Sequence, residues 1–170
     1  DARWERTRAQ TERMIKRHRN NASVIGWSVG NEMFALSLPH LSKIPAEERA
    51  EWDKKLVDLA NFAKRLDPTR PFVTVDGDGD LNGGLPVWSK HFGDGFRGDQ
   101  LDKVKAELAE PKPIVIGEFG ATYYGMPPRV WKYIGDKAFE SYAGRNEALA
   151  VDLYKNVKDM IKPNVAYFSP

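Results

Sequence analysis

Cysteine is absent from the 170 residues, which excludes disulfides and thiolate-bound metal. The compartment stays open, because exported proteins can lack cysteine too, and a secreted or periplasmic location is compatible with the chain. Histidine is nearly as scarce: His18, His40 and His91 stand far apart, without the spacing by which tetrahedral zinc sites are recognised. No apolar run approaches the roughly 20 residues that cross a bilayer, so no membrane segment is expected. Charge of one sign is not in excess either. Against 26 Lys and Arg stand 24 Asp and Glu, a net charge of +2 that is interspersed and only locally basic in the first helix, and no nucleic-acid partner is inferred. Internal repeats, low-complexity segments and a Gly-x-Gly-x-x-Gly nucleotide turn are all lacking. The opening Asp1-Ala2-Arg3-Trp4 is neither an initiator Met nor a signal peptide, and reads as the inside of a longer protein.

What is present suits a globular domain of α/β class: 41% of residues are hydrophobic and 29% charged. Trp4, Thr11, Met14, Ile15 and His18 fall close to one stripe, predicting a helix from Arg3 to about Arg19, which Asn20-Asn21 ends. Val24 to Val29 reads as a strand. Pro45 suits a first helical position, and Trp52, Leu56, Leu59, Ala63 and Leu66 recur at helical spacing behind it. Asp67-Pro68-Thr69-Arg70-Pro71 is turn chemistry that leads into a strand over Phe72 to Asp76. A Gly/Asp loop to about Pro86 and a short strand from Val87 to Phe92 follow. Next come a helix from about Asp99 to Glu110 and a strand from Ile114 to Gly117. A long aromatic loop, a helix from about Asn146 to Ile161 and a strand from Val165 to Phe168 complete the chain. Strands alternating with helices predict βα units on a parallel sheet, with an open doubly wound sheet as the alternative to part of a barrel.

Two strands run directly into a carboxylate. Ser23-Val24-Ile25-Gly26-Trp27-Ser28-Val29-Gly30-Asn31-Glu32 ends in an Asn-Glu pair, and Lys112-Pro113-Ile114-Val115-Ile116-Gly117-Glu118-Phe119-Gly120 ends in Gly and a lone Glu. Barrel enzymes carry their chemistry at the ends of parallel strands, so Glu32 and Glu118 are candidates for a pair of carboxylates facing one pocket. Each alone could be a solvated loop residue. Asp76-Gly77-Asp78-Gly79-Asp80 departs from a calcium loop, with Leu81 where Gly is needed and Val87 where the bidentate Glu belongs; Asp76 or Asp78 touching substrate hydroxyls is the preferred reading, and no metal is expected. Trp88, Tyr123, Tyr124 and Trp131 sit where loops would rim the pocket and could offer flat apolar faces to a ligand, although such aromatics also serve in plain packing. Trp27 and Trp52 read as core.

These residues carry a resemblance. Arg17 through Glu32, Leu66-Asp67-Pro68-Thr69-Arg70-Pro71 and Pro113 through Gly120 occur in the order and approximate spacing of the catalytic barrel of glycoside hydrolase family 2, the β-galactosidases, β-glucuronidases and β-mannosidases. The resemblance implies that residues 1–170 are part of a (β/α)8 barrel, about its strands 4 to 8, and that the rest of the barrel and the β-sandwich domains usual before it lie outside this sequence. It implies a retaining β-glycosidase acting on a carbohydrate substrate with no cofactor beyond water. Glu32 then becomes the general acid/base, Glu118 the nucleophile, and Asn31 the contact to the sugar's 2-hydroxyl, with carboxyl groups roughly 5–5.5 Å apart. His91 departs from the family pattern, which usually has Asn and Tyr at the end of the sixth strand; it is either a pocket residue or a structural hydrogen-bonding one. No uronate-reading Asn-x-Lys is evident in the later loops. Two other readings stay open: an inactive carbohydrate-binding fragment or pseudoenzyme, and a cellulase- or mannanase-like endo-hydrolase of the same clan. Five strands are too few to close a barrel, so the remaining barrel or self-association is expected to cover the open edges.

Overall fold

The computed structural model describes residues 2–34, 45–92, 102, 106–109, 111–119, 125–158 and 164–169. They form two compact units, residues 1–90 and 91–170.

The first unit opens with helix α1 (Ala2–His18), whose Thr11 and Ile15 are buried. Strand β1 (Gly26–Asn31), helix α2 (Ala46–Leu66) and strand β2 (Phe72–Asp76) follow as a β-α-β unit, with the two strands parallel and paired from Gly26–Phe72 to Asn31–Asp76. The sequence pattern set β1 at Val24 to Val29; it lies two residues later. At its first pair, Gly26 with Phe72, a Cβ would stand 2.2 Å from the Phe72 ring, so glycine lets the ring close on the backbone there. Helix α2 turns Leu56, Leu59 and Ala63 inward, as the helical spacing predicts, with Ala60 buried beside them and Trp52 and Leu66 only partly buried. Ile15, Trp27, Leu56, Ala60, Ala63, Val73 and Val75 form one apolar core. Trp4 meets Trp52 edge-on, with centroids 6.3 Å apart, which joins α1 to α2. The turn after α2 is held in place by Asp67, which accepts from the Trp27 indole at 3.1 Å, and by Arg70, which donates to the Arg19 carbonyl at 2.6 Å.

Strand β3 (Trp88–Phe92) begins in the first unit and ends in the second. In the second, β4 (Ile114–Phe119) pairs in parallel with β5 (Val165–Phe168), and the sheet order is β3-β4-β5. Ile114, Val115 and Ile116 are all buried, the near-continuous apolar run of a strand covered on both faces.

The region read as a long aromatic loop holds two helices, α3 (Pro127–Ile134) and α4 (Lys137–Glu140), and α5 (Tyr142–Val157) starts four residues before its expected beginning at Asn146. Pro127 and Pro128 sit in the first turn of α3, where the missing N–H costs nothing and the fixed φ favours a helix. Gly135, at φ 58°, stops α3 in a conformation that glycine takes without strain. Val130 and Ala138 are buried, and the buried Arg145 donates to the Ala138 carbonyl at 3.3 Å, tying α5 to α4. The expected helix from Asp99 to Glu110 and its Leu101 and Val104, His40, and the end of the helix at Ile161 lie largely or wholly outside the described residues.

Candidate active site

In the first unit Asn31 is the last residue of β1 and Glu32 the first beyond it, at the C-terminal end of a parallel strand. Asn31 is exposed and registers with Asp76, while Glu32 is partly buried and has φ 43°, a left-handed backbone that a non-glycine residue adopts only under local constraint. The constraint is visible in the hydrogen bonds. The Glu32 amide donates to the Asp76 carbonyl at 2.8 Å, the Met33 amide to Asp78 Oδ2 at 2.7 Å, and the Phe34 amide to Asp78 Oδ1 at 3.4 Å. Gly30 lies beneath this turn; a Cβ there would meet Met33 Cγ at 2.9 Å and Val75 Cγ1 at 3.2 Å.

Asp76 and Asp78 are therefore engaged by the protein itself. Ser89, fully buried on β3, donates its hydroxyl to Asp76 Oδ1 and accepts from the Gly77 amide at 3.1 Å. Burial pushes the Asp78 carboxyl up from its ordinary range, opposed by the Met33 and Phe34 amides and by the positive charge of Arg49. Arg49, at the start of α2, lies over the Phe34 ring at 3.2 Å and reaches Asp53 at 3.5 Å, and Asn82 donates to Asp53. Together with Asp78, Asp80, Trp88 and Lys90, these groups line a cavity of about 430 Å³, with the Lys90 ammonium 4.7 Å from the Trp88 ring. Trp88 is among the residues that line this cavity. Arg49, Asp53 and Asn82 were missed; the i,i+4 spacing of Arg49 and Asp53 was legible, their approach to Asn82 was not.

In the second unit Glu118 is the penultimate residue of β4, again near the C-terminal end of a parallel strand, and its side chain is 60% exposed. His91 Nδ1 lies 3.7 Å from Glu118 Oε2, an ion-pair distance if the imidazole is protonated and too long for a hydrogen bond. The His91 side chain is only 8% exposed, so its ring is fixed beside a carboxylate that is open to solvent. The residue that departs from the expected pattern is thus the one placed against the second glutamate. Of the candidates, Asn31, Glu32, Asp76, Asp78 and Trp88 belong to the first unit and His91 and Glu118 to the second. Tyr123 and Tyr124 lie outside the described residues. Trp131 is exposed on α3, where its indole donates to Asp136 at 3.2 Å.

Comparison with known proteins gives two findings. The family model described as glycosyl hydrolases family 2, TIM barrel domain, matches residues 1–134. Beta-galactosidase BoGH2A of Bacteroides ovatus is 30% identical over 157 residues, an alignment that takes in 74% of this chain and 18% of the relative's length. No solved structure matches.

Proposed function

The chain belongs to glycosyl hydrolase family 2, whose TIM barrel domain it matches over most of its length, and from that membership we propose that it forms strands four to eight of the catalytic barrel of a retaining β-glycosidase. Residues 1–170 are on this reading part of one catalytic domain, with the other strands of the (β/α)8 barrel supplied by sequence outside it. The supporting observation is that Glu32 and Glu118 each stand at the C-terminal end of a parallel strand, the end at which barrel enzymes place their chemistry.

The chemistry divides between the two carboxyl groups. The exposed Glu118 attacks the anomeric carbon as Glu32 donates its proton to the glycosidic oxygen. The carbon–oxygen bond breaks, the alcohol departs, and the sugar is held as an ester of Glu118. Glu32, now a carboxylate, takes a proton from water, and the water oxygen displaces Glu118 with a second inversion, so the product keeps its β configuration. Asn31 binds the sugar's 2-hydroxyl, and His91 orients the Glu118 carboxylate from beside it. The relative's printed name makes a β-galactoside the first substrate to try.

Azide rescue separates the two roles in the full-length protein. Glu118→Ala is expected to lose turnover and to regain it with azide as an α-glycosyl azide, because the anion attacks from the face the carboxylate left. Glu32→Ala is expected to retain the first step on substrates with good leaving groups and to give the β-glycosyl azide. The opposite pairing of product configurations would exchange the assignments, and no turnover of any aryl β-glycoside by the unaltered protein would reject the reading.

A further inference from the structure

Asp78 is a carboxylate whose two oxygens both face backbone amides, and those amides belong to the two residues that follow Glu32. The support behind it is continuous. Gly77 and Gly79 flank it at φ 80° and 75°, which glycine alone adopts freely, and allow the chain to turn on either side of the carboxylate. Its own amide donates to the Val75 carbonyl at 3.2 Å. The Gly77 amide donates to the buried Ser89 hydroxyl, and Gly79 exchanges backbone hydrogen bonds with Ser89 at 2.9 and 3.2 Å. On the other side, the buried Phe34 ring lies under the Arg49 guanidinium. Glu32 is thus held in its left-handed conformation from a buried serine on β3, through Asp78, to the turn at the end of β1.

We propose that Asp78 is a positioning residue for proton transfer by Glu32: by accepting both amides of the turn it sets the direction of the Glu32 carboxyl group toward the leaving-group oxygen. The inference rests on the reading of Glu32 as the general acid/base. Proton transfer to the leaving group demands alignment and matters most for poor leaving groups, whereas attack on the anomeric carbon does not pass through Glu32. A residue that only supports the fold would alter all substrates alike.

The test compares kcat/KM for 2,4-dinitrophenyl and methyl β-galactosides in the full-length protein, or for the same pair of the sugar that an aryl-glycoside screen selects. For Asp78→Ala the ratio of activated to unactivated substrate is expected to rise about tenfold or more, and for Glu32→Ala by roughly the 10²–10⁴ that a general acid contributes. Asp78→Asn keeps one acceptor oxygen for the Met33 amide, and its ratio is expected to fall between those of the unaltered protein and Asp78→Ala. An unchanged ratio in Glu32→Ala sinks the acid/base reading itself. A raised ratio in Glu32→Ala with an unchanged one in Asp78→Ala overturns the positioning role alone. Should Asp78→Ala fail to fold, Asp78→Asn decides by the same ratio, and a value equal to that of the unaltered protein overturns the inference.

Discussion

Asp67 illustrates how one residue ties distant parts of the sequence together. Its carboxylate accepts from the Thr69 hydroxyl and amide and from the Trp27 indole forty positions away, and it lies 3.6 Å from the Arg70 guanidinium. The Thr69 hydroxyl above all, then the Trp27 indole, holds the Asp67 carboxyl below its ordinary range against the opposing effect of burial. A carboxyl group whose folded pKa lies below its unfolded value of about 3.9 stabilises the fold above that value, and this contribution is lost as the pH falls through the folded pKa. Asp67→Asn is therefore expected to be less stable than the unaltered protein at neutral pH, with the gap narrowing once the pH falls below about 4. Denaturant unfolding at several pH values reads this directly, and a gap independent of pH would assign the loss to packing instead. Trp27 was legible as a core residue from its strand. That its indole needed Asp67 was not, because a single sequence carries no sign of which side chains meet.

At the scale of elements, helical and strand periodicity served best where one face is buried by the element's own partner. Helix α2 shows this: Leu56, Leu59 and Ala63 were predicted inward and are almost fully buried. Leu56→Ala removes a side chain at 0% exposure and is expected to cost about 2–5 kcal/mol in chemical unfolding, with little change at an exposed site such as Glu48. A cost below about 1 kcal/mol would mean that this core collapses around the change. Periodicity failed between Glu118 and Asn146. The helices α3 and α4 are short, eight and four residues, so neither repeats its apolar face often enough to be seen. The Pro127-Pro128 pair was the available signal, since proline suits the first turn of a helix.

At the scale of the whole molecule, the described strands lie in a two-stranded and a three-stranded sheet, β1-β2 and β3-β4-β5. Sheets this small, with parallel strands meant to be covered on both faces, leave unpaired edges and apolar surface in need of partners. Phe139, Tyr142 and Tyr154 are exposed at 60%, 64% and 72%. Residues 1–170 produced alone are therefore expected to self-associate in sedimentation and to unfold over a broad range. A compact monomer with a sharp transition and glycosidase turnover would instead show that five strands suffice.

The sequence by itself determined the family, the strands and the longer helices of the described residues, and the two strand-end glutamates as candidates, since these follow from local hydrophobic pattern and short motifs that any copy of the chain would carry. Only the tertiary structure showed which protein groups the Gly/Asp loop engages. In the sequence Asp76 or Asp78 reads as a sugar contact; the structure adds that Asp76 accepts from the Ser89 hydroxyl and Asp78 from the Met33 and Phe34 amides. Likewise His91 stood in the sequence as a departure from pattern, and its place beside Glu118 emerged from the structure. The physical reason is common to both. Which polar groups satisfy one another is set by the approach of segments tens of residues apart, and a carboxylate carries the same chemistry in either role until its hydrogen-bond donors are known.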